Sequence, residues 1–248
     1  MALSYALPAR PERAPARVPE PRRELAELGE LLAGHFLRRE PREAAEGYLR
    51  ALLDQTGASN SWRLAARAGD NSPWRMQRLL TRARWDEEAL RASVAEWLTG
   101  HLGHRAAILR LGQDHTPKKG TRTVAVARQY RDETGRVENC QAIVLLSYLS
   151  PRGCALLDRE LYLPREWCAS PARCRGAGVP QERLSHRTPG RLARTVVERA
   201  RDARVPFSWV SGSVAYGLDE ELRGWLEQSG VGYVLAVPRE QFEREAAP

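Results

Sequence analysis

Past residue 105 the apolar residues change their spacing, and this change constrains the fold more than any other feature. Ala106–Leu111 is a short β-prone run. Thr123–Tyr130 and Glu138–Leu149 follow, with a Glu133-Thr-Gly135 turn between them. Cys154–Leu163 reads as a further strand, and a looser stretch rich in Pro, Gly and Arg runs from Pro164 to Pro189. Then come helix Gly190–Arg204, strand Phe207–Val210, helix Asp219–Gln228 and strand Gly232–Val237. Strands first, then helix and strand in alternation, predict an α/β (α+β) domain over residues 105–248, a mixed sheet flanked by helices.

Residues 23–104 predict a helical domain. Leu25, Leu28, Leu31 and Leu32, then Ala45, Tyr48, Leu49 and Leu52, recur at helical spacing and give two amphipathic helices broken near Pro41. Residues 61–84 read as a helix-turn-helix. Ser61–Ala68 is a short helix, and Gly69-Asp-Asn-Ser72 is a turn with Ser72 as N-cap and Pro73 in the first helical position. In the second helix Met76, Leu79 and Leu80 share one face, Arg75, Arg78 and Arg82 another, and Arg84 follows. A basic second helix after a tight turn suits entry into a major groove. An ordinary αα-hairpin with a solvated arginine face fits the same pattern. A further helix runs from about Asp86 to Leu102, and residues 1–22, with five prolines among arginines, read as a disordered Pro/Arg-rich tail.

The formal charge of +8 favours polyanionic partners. Arginine supplies nearly all of it, since Lys118 and Lys119 are the only lysines. Cys140, Cys154, Cys168 and Cys174 include no C-x-x-C pair, so incidental thiols are expected and no metal site. No apolar run approaches the roughly 18–20 residues that span a membrane. No signal-peptide core opens the chain, so a cytoplasmic address is expected. Trp62, Trp74, Trp85, Trp97, Trp167, Trp209 and Trp225 read mostly as core residues.

Several long motifs occur in one order. They are Leu111-Gly-Gln-Asp-His-Thr-Pro-Lys-Lys-Gly120, the run from Lys118 to Tyr130 ending in Arg-Gln-Tyr, Gly135-Arg-Val-Glu-Asn-Cys-Gln141, Asp158-Arg-Glu-Leu-Tyr-Leu-Pro164, Gly212-Ser-Val-Ala-Tyr-Gly217 and Val231–Val237. Together they resemble the bacterial insertion-sequence transposases of the DDE superfamily endonuclease type, over roughly residues 35–237. The resemblance implies an RNase H-like domain, a helical DNA-binding region before it, and Mg²⁺ held by acidic residues. The first two acids would stand at Gly112 and Ser213, and neither residue is acidic. Family members continue well past the segment matching Val237 and carry their third acid there, so the chain reads as truncated.

Two-metal phosphoryl transfer needs anionic oxygen ligands. With glycine and serine at those positions, no cofactor and no inherited nuclease or strand-transfer activity are expected. Asp114 would share a strand face with Gly112, displaced by ~6–7 Å. His115, Glu138 and Asp158 are further candidates for the same cleft, and Tyr216 lies beside it in sequence. Arg75, Arg78, Arg82, Arg84, Lys118, Lys119 and Arg122 are the expected nucleic-acid contacts. The leading expectation is a transposase-derived protein that binds duplex DNA, cytoplasmic and nucleoid-associated, with room for a homodimer. One alternative is a small-molecule enzyme with a ligand in the emptied cleft among Asp114, His115, Ser213 and Tyr216. Another is an interaction module that modulates an intact transposase.

Overall fold

The computed structural model describes residues 21–53, 60–131 and 134–239. Of the tail expected over residues 1–22, residues 1–20 lie outside the described residues, as does the turn residue Glu133, while Pro21 and Arg22 already belong to the first helix. The chain divides into two compact units at Val94/Ala95, earlier than the change of character expected at residue 105. The division falls inside a helix, because Ala95 and Leu102 already pack against the core of the second unit.

The first unit holds α1 (Pro21–Ala33), α2 (Arg39–Leu53), α3 (Ser61–Arg67), α4 (Trp74–Thr81) and the start of α5 (Glu87–Leu102). Phe36, Ala44, Ala45 and Leu79 form its core, with Tyr48, Ala83 and Trp85 against them. The break between the first two helices falls at residues 34–38, not at Pro41. Pro41 lies in the first turn of α2, where a missing N–H costs the helix nothing. Asn60 caps α3 by accepting from the Arg63 amide at 3.0 Å. Gly69 then takes φ +80° while the Asp70 amide donates back to the Ala65 carbonyl at 2.8 Å, which ends α3 sharply. In α4 the Gln77 amide donates to the Pro73 carbonyl, but no side chain caps the helix, so Ser72 does not act as the N-cap.

The second unit is built on six strands: β1 (Ile108–Pro117), β2 (Ala127–Arg131), β3 (Arg136–Ser150), β4 (Gly153–Leu161), β5 (Trp209–Gly212) and β6 (Gly232–Leu235). β1 lies antiparallel to β3, from Ile108 opposite Leu149 to Pro117 opposite Cys140. On its other side β1 runs parallel to β5, and β5 parallel to β6. β3 is long enough to serve two partners: residues 136–140 pair with β2 and residues 143–150 with β4. Through the middle of the sheet the order is therefore β4-β3-β1-β5-β6.

Two strand boundaries differ from expectation. β1 continues past Leu111 to Pro117, because pairing with β3 carries the polar Gly112–Thr116 stretch. β2 begins at Ala127 rather than Thr123, because Ala125 takes a left-handed φ of +61° that no strand accepts.

One face of the sheet is covered by α8 (Pro189–Asp202). Thr188 caps this helix at its start, and Leu192, Ala193, Val196 and Val197 are buried with Leu109, Leu111, Val144 and Leu146 of the strands. α9 (Val214–Gly217) and α10 (Glu220–Gln228) follow, and Asp219 caps α10 by accepting from the Leu222 amide. Tyr148 joins three segments: its hydroxyl donates to the Pro206 carbonyl at 2.6 Å and accepts from the His104 amide at 2.9 Å.

The stretch over residues 164–189 is more ordered than its composition predicts. It forms α6 (Arg165–Cys168), α7 (Pro171–Gly176) and a 3-10 turn (Gln181–Arg183). Trp167 and Cys174 bury there with Ala125, Val126 and Leu163, and the Trp167 indole N–H donates to the Val126 carbonyl at 2.8 Å.

Candidate functional site

The parallel register between β1 and β5 pairs Ile108 with Trp209, Leu109 with Val210 and Arg110 with Ser211. Carried two residues further, it sets Gly112 level with Ser213. Strand alternation then divides β1 between two faces. Arg110, Gly112 and Asp114 share one face, and Leu109, Leu111, Gln113 and His115 look toward α8. A side chain added at Gly112 would enter open space, since nothing lies within 4 Å of its ideal Cβ.

Ser213 is exposed and immediately precedes α9. One turn on, Tyr216 is fully buried, and its hydroxyl donates to the Gly112 carbonyl at 2.9 Å. Burial pushes the Tyr216 phenol far above its ordinary range, and a hydrogen bond with the Gln113 side chain opposes this in part. Gly217 is needed here for close approach, because any Cβ would collide with the Ala236 carbonyl oxygen. The turn after β5 is thus fixed by packing while the position facing Gly112 stays open.

Of the other candidate residues, only Asp114 stays on the Gly112 face. It is exposed and accepts from the Thr116 hydroxyl at 3.0 Å. His115 is buried on the opposite face, because it stands three residues from Gly112 on a continuous strand. Glu138 sits on β3 opposite Gln129, beyond the part of β3 that pairs with β1, and Arg131 engages it at 2.5 Å. Asp158 faces α8 from β4, where Arg199 grips it through Nε at 2.8 Å and Nη2 at 3.1 Å. The same guanidinium donates to Glu160 at 2.5 Å, and Arg183 and Arg187 stand 3.8 and 3.7 Å from that carboxylate. Burial disfavours the Arg199 charge, yet the two carboxylates hold its pKa above the ordinary value. Glu138 and Asp158 therefore do not converge with Gly112 and Ser213.

The basic candidates fall in two places. Arg78 on α4 and, just past it, Arg82 and Arg84 are exposed and form no ion pair among the described residues. Arg75 differs: Asp70 holds it at 2.7 Å and Glu43 lies at 3.7 Å. Trp62 and Trp74 are 64% and 59% exposed, and Trp209 is also exposed, against the expectation of core tryptophans. Only Trp167 is fully buried, because the helix faces carrying Trp62 and Trp74 turn away from the buried Leu64 and Met76.

Lys118, Lys119 and Arg122 ride on the loop after β1. Side-chain amides fasten this loop: Asn139 donates to the Lys118 and Gly120 carbonyls at 2.7 and 3.0 Å, and Gln141 to the Val124 carbonyl at 2.9 Å. Its cationic side chains form no ion pair among the described residues. Asn139 fits its expected place as a structural partner on the neighbouring strand, whereas Gln141 carries no sequence signal beyond its alternation with Asn139.

A sheet ordered β4-β3-β1-β5-β6, its first three strands antiparallel and its last three parallel, is the RNase H-like arrangement. The resemblance expects acidic side chains at the facing ends of β1 and β5. The chain belongs to the DDE superfamily endonuclease family, whose model matches residues 31–248. Among solved structures it is similar to the crystal structure of the Mos1 strand transfer complex, at 17% identity with a TM-score of 0.26. That match covers 82% of this chain and 60% of the other, so the chain spans about 60% of that relative's length. No curated protein matches the chain.

Divalent metal chemistry in such a family requires carboxylates from both strand ends. Gly112 supplies no ligand, Ser213 supplies a neutral hydroxyl, and Asp114 stands ~6–7 Å further along its strand. The residues present at these positions do not fit a two-metal centre. Among the described residues no group of three His, Cys, Asp or Glu side chains converges on a metal-sized site. Among them, too, no helix is long and apolar enough to cross a membrane.

Proposed function

We propose that this chain binds duplex DNA through α3 and α4 and no longer cleaves it. What carries this reading is the parallel register of β1 and β5, with Arg110 opposite Ser211, which extended by two residues would bring Gly112 level with Ser213. The room at Gly112 supports it further, since the backbone has not closed over the missing side chain. Arg78, Arg82 and Arg84, with Trp74 exposed beside them, form a basic face with aromatic character suited to phosphates and groove edges. The family membership agrees with a nucleic-acid partner. In a cell the protein would then sit on the nucleoid.

The test is a pair of assays on one sample. Duplex binding is titrated across salt, and nicking is followed with Mg²⁺ or Mn²⁺. The expected result is affinity that falls steeply with salt and no metal-dependent nicking. Nicking that disappears in Asp114→Ala would overturn the second half of the reading. Absence of duplex binding at low salt would overturn the first.

The small-molecule enzyme is less well supported. Of the four groups it needs, Tyr216 is buried against the Gly112 carbonyl and His115 lies on the other face. The interaction-module reading has one observation in its favour. Ile108, Leu156, Trp209 and Val234 share the Gly112 face of the sheet and are all exposed. Co-elution with an intact transposase, lost in Trp209→Glu, tests it.

A further inference from the structure

A cleft of about 1290 Å³ opens in the second unit, beyond the N-terminal end of α8. Gln113, His115, Ala142 and Val144 line it on the α8 side of the sheet, whereas Arg128 and Tyr130 stand on the opposite face of the edge strand β2, so the cleft wraps round that edge. Four arginines line it: Arg122 and Arg128 come from the β2 side, and Arg165 and Arg173 from the α6–α7 segment. Among the described residues, Glu166 is the only acidic one of the lining.

Three of those arginines are available to a ligand. Arg173 is engaged, stacked 3.7 Å over the Trp167 ring and donating to the Thr121 carbonyl at 2.8 Å. Arg122 and Arg165 carry no ion pair among the described residues, and Arg128 reaches only the Val137 carbonyl, at 3.5 Å. The backbone beneath Arg122 is already fixed by Asn139 and Gln141, so ordering it costs little on binding. Tyr130 also lines the cleft and is 57% exposed, which leaves a ring face open to stacking.

This chemistry selects the ligand. Three guanidinium groups with no ion pair among the described residues call for several anionic oxygens spread along a chain. The volume exceeds the ~300–1,000 Å³ of ordinary small-ligand sites. Cations with an exposed aromatic ring beside them suit a phosphodiester backbone and the unstacked bases of a single strand. We propose that the cleft holds a single-stranded stretch of nucleic acid, with phosphates on Arg122, Arg128 and Arg165 and a base on Tyr130. The site lies in a different unit from α4 and is independent of the duplex reading.

The test uses the full chain and fluorescence anisotropy with labelled oligo(dT) and oligo(U) of roughly ten nucleotides, the span of a typical single-strand site. The triple variant Arg122→Gln, Arg128→Gln, Arg165→Gln is compared with an α4 control, Arg78→Gln, Arg82→Gln, Arg84→Gln. The cleft variant is expected to weaken single-strand binding by at least about tenfold. Its log–log salt slope should flatten by about 2, as three phosphate contacts at ~0.7 each require. Its duplex affinity should stay within about twofold, while the α4 control shows the reverse pattern. Tyr130→Ala, neutral and exposed, should weaken the single strand by roughly tenfold without moving the salt slope. Tighter binding of one oligomer assigns the sugar, and either result supports the cleft.

The proposal fails if the cleft variant leaves single-strand affinity unchanged or weakens duplex and single strand alike. It fails equally if a mononucleotide or inorganic phosphate competes as well as the oligomer. Should the triple variant not fold, Tyr130→Ala and Arg165→Gln alone decide the matter, and full affinity in both overturns it. If the duplex reading is wrong, the α4 control alone changes nothing and the cleft result stands.

Discussion

The Tyr216 hydroxyl donates to the Gly112 carbonyl at 2.9 Å, joining the turn after β5 to the middle of β1. Tyr216→Phe removes that donor and leaves a buried carbonyl short of a partner. The expected loss is about 1–2 kcal/mol in urea melts. The phenol is raised in the folded state, so its contribution is fully present below the unfolded tyrosine value of 10.0 and falls as pH rises through it. The stability gap between wild type and Tyr216→Phe should therefore hold steady to about pH 9 and narrow above about pH 10. A constant gap would show that the hydroxyl is not buried as described.

Gly112 has room for a side chain, and the register of β1 and β5 extended by two residues would bring it level with Ser213. The double variant Gly112→Asp, Ser213→Asp should fold and present two carboxylates on strands ~4.8 Å apart. Calorimetric titration with Mn²⁺ should detect binding to the double variant and to neither single one. Equal binding by wild type would mean that other residues already hold the ion. Gly112→Ala should raise stability by about 0.5–1 kcal/mol, since it restricts the unfolded chain without a clash.

Arg199 serves two buried carboxylates, Asp158 and Glu160. Arg199→Ala would take the forked partner from Asp158 and leave Glu160 only the longer contacts to Arg183 and Arg187, with an expected loss of about 3 kcal/mol in chemical denaturation. Arg199→Lys should recover only part of this, because a single ammonium cannot reproduce the forked contact with both. A loss below about 1 kcal/mol would place the cluster among ordinary surface pairs.

Arg204 closes α8 in a left-handed conformation, φ +55°, while the Val205 amide donates back to the Ala200 carbonyl at 3.0 Å. Glycine is the residue this helix ending favours. Arg204→Gly should stabilise the protein by about 1 kcal/mol, read as a rise in Tm. A fall in Tm would mean that the arginine side chain makes a compensating contact.

On α4 the arginines should behave unequally. Arg78→Ala, Arg82→Ala and Arg84→Ala should each flatten the salt dependence of duplex binding by about 0.9. Arg75→Ala should change that slope less, since Asp70 and Glu43 already balance its charge. Equal slopes for all four would argue against an oriented α4 face.

Much of this fold is legible in the residues, because the apolar spacing of the long elements coincides with what they bury. α8 and α10 fall within two residues of their sequence limits, since Leu192, Val196 and Val197 mark one face and Asp219 caps the next helix. The α6–α7 segment was illegible for the opposite reason. Its helices are too short to show a period, and they depend on burying Trp167 and Cys174 against residues distant in sequence. His115 was misplaced because β1 was expected to end at Leu111. Once the strand continues, alternation alone sends His115 to the α8 face. The opposition of Gly112 and Ser213 could be anticipated only through the resemblance, because no local pattern announces a register between strands so far apart in sequence.

The ionic cluster around Arg199 does something an apolar contact cannot. A helix lying on leucines and valines can slide or roll by a fraction of a turn at little cost. A forked guanidinium seated on two carboxylates of one strand fixes both its azimuth and its axial offset. The first turn of α8, which ends against the cleft at Pro189, thereby inherits a defined position from a contact three turns away. Loosening that key should blur the shape of the cleft even though none of its lining residues has been touched.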